Sequence, residues 1–96
     1  MRRHASFEWD FVKEMENITK HGVSFHEARK AFNDPNRIIL KDIDHSTRDE
    51  TRYYCIGKVS DKVCTVRFTN RDNKTRIFGA GYWGKERKIY EQKNEK

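Results

Sequence analysis

The chain has 96 residues, of which 34% are hydrophobic and 38% charged, which allows one modest core and excludes a large or multidomain architecture. An aromatic content of 12% argues against disorder, and no apolar run is long enough for a signal peptide or a bilayer span, so a cytoplasmic domain spanning residues 1–96 is expected. A net charge of +6 favours an anionic partner.

In chain order, Ala5 to Trp9 reads as a short strand, with Phe7 and Trp9 on one side and Glu8 on the other. Asp10 is a suitable N-cap for a helix in which Phe11, Met15 and Ile18 form one apolar stripe running to His21, and Gly22 suits its end. Ser24-Phe25-His26-Glu27 is a capping box for a second helix, whose buried side is Phe25, Ala28, Ala31 and Phe32. Asn33-Asp34-Pro35-Asn36 stops it, Arg37 to Lys41 reads as an edge strand, and a polar loop follows to Thr51.

Three further strands, Tyr53 to Val59, Lys62 to Thr69 and Lys74 to Ala80, are rich in aromatic and β-branched residues. They are separated by Ser60-Asp61 and by Asn70-Arg71-Asp72-Asn73, so they form a meander. A two-residue first loop sets Cys55 opposite Val66 and Tyr54 opposite Arg67; a four-residue second loop sets Val66 opposite Ile77 and Arg67 opposite Arg76. One face then carries Tyr53, Cys55, Cys64, Val66, Phe68 and Ile77, which suit a core. The other carries Arg52, Tyr54, Ile56, Thr65, Arg67, Arg76 and Phe78. Two arginines directly across a strand pair repel unless an anion sits between them. Seven Lys or Arg against two acids between positions 51 and 76 make this the basic part of the chain, an electrostatic footprint suited to RNA.

Gly79-Ala80-Gly81-Tyr82-Trp83-Gly84 forms a corner, and the helix-forming tail from Lys85 has only Ile89 and Tyr90 to bury, which predicts a weak attachment. Cys55 and Cys64 read as small buried thiols of a reducing compartment. The histidines and cysteines lack zinc-ligand spacing, and Asp42 and Asp44 lack the remainder of a calcium loop, so no metal or other cofactor is expected.

Several of these segments carry a family resemblance. Phe7-Glu8-Trp9-Asp10, Lys13, Asn17 and Lys20-His21-Gly22-Val23-Ser24-Phe25 open it. Ala28, Phe32, Asp34-Pro35, Asp42, Asp44-His45-Ser46, Glu50, Arg52, Gly57, Arg76-Ile77, Ala80 and Tyr90 continue it in order along almost the whole chain. The series resembles the BrnT toxins of type II toxin–antitoxin modules. The resemblance implies a two-layer α+β fold of the RelE-like ribonuclease type: a short N-terminal strand, two helices, an antiparallel sheet ending in a three-stranded meander, and a C-terminal helix. It further implies an endoribonuclease that inhibits translation when free. Its partner would be a BrnA-type ribbon-helix-helix antitoxin, in a 2:2 complex that reaches operator DNA only through the antitoxin. Where many relatives have Ser-Ala-Arg, this chain has Gly79-Ala80-Gly81, so either Tyr82, Trp83 and Lys85 replace the missing arginine or activity is reduced.

Nucleases of this type cut RNA without metal, by attack of the neighbouring 2′-hydroxyl on the phosphodiester. The phosphoryl oxygens then need cationic hydrogen-bond donors, for which Arg67, Arg76 and Arg52 are the candidates. His21 and His45 are candidate proton carriers, alongside Tyr54 or Tyr82 if neighbouring arginines depress them. More ordinary roles exist for both histidines: His21 as a helix C-terminal residue favoured by the macrodipole, His45 as a loop side chain bonded to its Asp neighbours. Lys20, Lys85, Tyr54, Tyr82 and Trp83 are candidates for holding RNA by charge and stacking. The alternative is a non-catalytic nucleic-acid-binding module using the same basic face.

Overall fold

The computed structural model describes residues 6–95. The element order is β1 (Ser6–Trp9), α1 (Phe11–His21), α2 (Phe25–Ala28), a 3-10 turn (Arg29–Asn33), β2 (Ile38–Asp42), β3 (Arg52–Val59), β4 (Lys62–Arg71), β5 (Lys74–Gly81) and α3 (Gly84–Lys93). The strands form one sheet in the order β1-β5-β4-β3-β2. The antiparallel meander is present, β2 joins it antiparallel as an edge, and β1 lies parallel to β5. The expected α+β fold with its C-terminal helix is therefore the fold observed. Ala5 lies outside the described residues.

The local signals act as their chemistry requires. Asp10 caps α1 by accepting from the Val12 and Lys13 N–H groups, and Gly22 ends it in the left-handed conformation at φ 71°. Ser24 accepts from the Glu27 N–H. The second helix then tightens into the 3-10 turn, whose backbone approaches the sheet at Gly57. A Cβ on Gly57 would collide with the carbonyl oxygen of Ala31, so only glycine allows this approach.

The core lies between one sheet face and α2 with its 3-10 turn. Phe25, Ala28 and Ala31 meet Cys55, Cys64, Val66, Phe68, Ile77 and Ala80, with Phe7, Trp9, Phe32 and Tyr53 packed around them. Both cysteines are free and buried, and burial pushes each thiol up to about 12. A second cluster on the reverse face joins Ile56, Val63 and Tyr90 to Ile38, Leu40, Tyr54 and Ile89.

That second cluster overturns the expectation of a weakly held tail. Tyr90 is 5% exposed, and its hydroxyl donates to Asp34 at 2.6 Å. Asp34 also accepts from the Lys58 and Asn36 N–H groups, both at 2.8 Å, so one carboxylate joins α3 to β3 and to the end of the 3-10 turn. Burial works to raise the Asp34 pKa, but the bond from Tyr90 and the two N–H bonds outweigh it and hold the group below its ordinary value.

The first hairpin has the predicted register, with Cys55 opposite Val66 and Tyr54 opposite Arg67. The second does not. Its loop is two residues long, Asp72 and Asn73, both in the left-handed region at φ 52° and 65°, and it pairs Arg71 with Lys74. A bulge then adds a residue to β5: Phe68 faces Ile77, Arg67 faces Gly79, and Phe78 between them has no partner. The two-residue loop sets Arg76 opposite Thr69, and the Arg67–Arg76 repulsion does not exist. The bulge also lets Ile77 and Ala80 both join the core, three positions apart.

Candidate functional site

α1 meets the sheet through polar groups. Asn17, buried at 7% exposure, donates to the carbonyls of Val23 and Ala80 at 2.9 and 3.0 Å and accepts from the Ala80 N–H at 3.2 Å. The side chain thus continues the edge of β5 beyond the end of β1, where a strand neighbour is missing. Glu14 accepts from the Trp9 indole and from the Phe25 and His26 N–H groups, which fixes the other side of the helix.

Held this way, α1 forms one wall of a cleft of about 150 Å³. Lys13, Glu16, Asn17, Lys20 and His21 line that wall, Arg67, Phe78 and Gly79 supply the sheet side, and Trp83 completes it. The bulge contributes directly, because it turns Phe78 and Gly79 away from the core next to Arg67. Trp83 and His21 meet edge to face with ring centroids 5.2 Å apart.

Four of the ten predicted site residues, Lys20, His21, Arg67 and Trp83, come together here. Arg52 lies one ring behind, its guanidinium 4.0 Å from the centroid of Phe78, and is paired with Glu50 at 3.1 Å. Arg76 is paired with Glu8 at 3.6 Å. Tyr54 and Lys85 line a separate groove of about 260 Å³ beside α3, with Asp42, Asp44 and Glu86. His45 is held on its loop by the buried Asp42 carboxylate, Nδ1 to Oδ2 at 2.9 Å. Tyr82 is 38% exposed and carries the Lys62 ammonium over its ring at 5.1 Å.

Arginine does not depress either tyrosine. Burial raises the Tyr54 phenol, the Asp42 charge adds to that, and nearby Arg67 only partly opposes it. Burial likewise raises Tyr82. Both are thereby poorer proton acceptors near neutral pH.

The contrast among the arginines is electrostatic. Glu50 binds Arg52 and Arg71, and those bonds hold its carboxyl below the ordinary range, Arg71 contributing most. Among the described residues Arg67 forms no ion pair, although it is half-buried and shares the cleft with Lys13 and Lys20. An arginine so placed has donors not taken up by a carboxylate, in a partly desolvated space shared with two lysines, a combination whose chemistry suits an oxyanion.

At Gly81 the side-chain direction is occupied. A Cβ there would lie 2.6 Å from the Trp83 ring, so Trp83 takes the space a longer residue at position 81 would need. Of the three substitutes considered for an arginine at that position, Trp83 alone reaches this cleft.

Lys13, Glu16, Asn17, Phe78 and Gly79 complete the site and are not assigned to it by the sequence reading. The signal for the helical part is the spacing 13, 16, 17, 20, one face of α1. It lies beside the more conspicuous apolar stripe. Among the described residues, no three His, Cys, Asp or Glu side chains gather into a metal-binding group, and no helix is long and apolar enough to cross a membrane.

The fold and this cleft define a small α+β protein with an arginine- and lysine-lined cleft between a helix and a bulged strand. The family described as ribonuclease toxin, BrnT, of type II toxin–antitoxin system matches residues 9–86. The chain belongs to that family, and is thus a ribonuclease toxin with a protein antitoxin as its partner. No curated protein matches it.

Proposed function

We propose that residues 1–96 act as one cytoplasmic, metal-independent endoribonuclease domain whose active site is the α1 cleft, and that free toxin stops translation by cutting RNA. The observation that supports this reading is the half-buried Arg67, without an ion-pair partner among the described residues, beside Lys13, Lys20, His21 and Trp83. In the proposed reaction the ribose 2′-oxygen attacks phosphorus as the bond to the 5′-oxygen breaks, leaving a cyclic phosphate and a 5′-hydroxyl. Arg67 and Lys20 stabilise charge on the phosphoryl oxygens, the role in which a fixed cationic donor gains most between ground and transition states. The 2′-hydroxyl proton goes to one of the two acid–base groups in the cleft, Glu16 or His21, and the other protonates the leaving oxygen. Trp83 offers a face for an unpaired base. The antitoxin on this reading is of the BrnA ribbon-helix-helix type, in a 2:2 complex that touches operator DNA only through the antitoxin.

Cleavage of single-stranded RNA in EDTA tests it, comparing wild type with Arg67→Ala and Arg76→Ala and checking each fold by thermal unfolding. The expected loss for Arg67→Ala is roughly 100- to 1,000-fold. Arg76→Ala removes a partly exposed ion pair worth about 1 kcal/mol or less and should leave cleavage nearly intact. Full activity of Arg67→Ala, or activity that EDTA abolishes, would overturn the proposal. Wild type that binds RNA without cutting it, in the presence of ribosomes as well, would favour the binding-module alternative.

A further inference from the structure

The apolar stripe of α1 faces solvent. Phe11 is 69% exposed, Val12 61%, Met15 47% and Ile18 39%, because Asn17 and Glu14 fix the polar side of the helix against the sheet. Four large apolar side chains on one short helix form a contiguous patch of the kind that marks an interaction surface. The spacing 11, 15, 18 is that of a helical face meeting a partner segment along its length.

The patch is continuous with the cleft. Val12, Met15, Glu16, Thr19 and Lys20 line a shallow apolar groove of about 290 Å³, and two of them, Glu16 and Lys20, also line the cleft that holds Arg67. Anything seated on the stripe therefore shares a wall with the anion site. The rim on that side carries Lys13, Lys20 and Arg67 against Glu16, which favours an acidic occupant. A second copy of the chain fits poorly: a two-fold contact would set the same lysines against each other on molecules already at +6.

We infer that α1 is the docking surface of the antitoxin, which lays an acidic amphipathic segment along Phe11, Val12, Met15 and Ile18 and places a carboxylate over Lys20 and Arg67. The apolar contacts supply affinity, and the carboxylate occupies the position of the scissile phosphate. The inference rests on the cleft being the active site, and its test separates the two.

The affinity of the purified cognate antitoxin is measured for wild type, for Phe11→Ser/Met15→Ser and for Met15→Glu, and the RNA cleavage rate of each free toxin is measured in parallel. These side chains are exposed, so both variants keep the fold, and Met15→Glu keeps a good helix former while setting a like charge against the acidic segment. The expected result is antitoxin binding weakened by about 30-fold or more in both variants, the scale of an interface hot spot, with cleavage by the free toxin unchanged. Arg67→Ala should also weaken the antitoxin and reduce the salt dependence of its binding. Unchanged antitoxin affinity in both stripe variants overturns the inference, whatever Arg67→Ala does to cleavage. A concentration-dependent dimer of wild type that Met15→Glu abolishes, with antitoxin binding intact, overturns it in favour of a second copy. Stripe variants that lose the antitoxin beside an Arg67→Ala variant that still cleaves uphold the docking surface and overturn the active-site assignment alone.

Discussion

The two longest helices reverse the usual relation between apolar pattern and burial. α1 has a clear apolar stripe and turns it outward; α3, Gly-Lys-Glu-Arg-Lys-Ile-Tyr-Glu-Gln-Lys, is polar nearly all round and is anchored all the same. In each case a few specific polar bonds decide. Asn17 and Glu14 orient α1, and the Tyr90–Asp34 bond orients α3. An apolar stripe indicates a face that can be buried, while the buried polar anchors determine which face is.

The comparison breaks most sharply at Asn17. Asn17→Ala leaves the Ala80 N–H and the carbonyls of Ala80 and Val23 without their side-chain partner, at about 1–3 kcal/mol for each buried group left unpaired. The expected loss in denaturant unfolding is about 3 kcal/mol or more, and RNA cleavage falls with it because Lys20 and His21 lose their placement. Full stability of this variant would show that the apolar side chains hold α1 after all.

A smaller effect is expected at the other helix. Tyr90→Phe keeps the ring and removes a hydrogen bond to a charged group, for about 2 kcal/mol at neutral pH. The Asp34 pKa is depressed in the folded state, so its contribution is present above the unfolded value of about 3.9 and is lost as pH falls through the folded one. The stability difference between wild type and Tyr90→Phe should therefore shrink on acidification below about pH 4. A difference that stays constant to pH 2 would mean that Asp34 is not the partner that matters. The smallest effect belongs to the outward stripe: Met15→Ser should change stability by no more than about 0.5 kcal/mol, measured by the same unfolding.

The same residues show how far the sequence could be read. Caps, stops and the first hairpin were legible because each depends on neighbours in the chain: Asp10 on two N–H groups, Gly22 on its own φ, Ser60-Asp61 on a loop of two. The second hairpin is not legible, because Asn70 is a turn-former that β4 nonetheless extends through, and the bulge at Phe78 depends on packing of Ile77 and Ala80 that no local pattern announces. At the site, Arg67, Lys20, His21 and Trp83 were legible as chemistry-bearing types, and their meeting was not. Bringing them together takes the 63-residue separation that Asn17 closes on Ala80, and the bulge that sets Gly79 opposite Arg67. The tail was underrated because a single Tyr90 hydroxyl on one carboxylate outweighs the count of apolar residues.

The bulge at Phe78 also bears on how this chain can vary between lineages. Loss of Phe78 alone would leave Phe68 opposite Ile77 and Arg67 opposite Gly79, an unbroken ladder in which Gly79 and every later position keep their side. Ala80 would stay opposite Val66 in the core, two positions from Ile77, and the cleft would lose the Phe78 ring over which the Arg52 guanidinium lies. The two-residue tip at Asp72-Asn73 lies on the other side of the irregularity, and substitutions there are screened from the cleft. β5 is thus open to change in composition near its start, while a change in length at the bulge falls on the cleft and spares the core. A lineage that lost this one codon would keep its hairpin and lose one wall of its cleft.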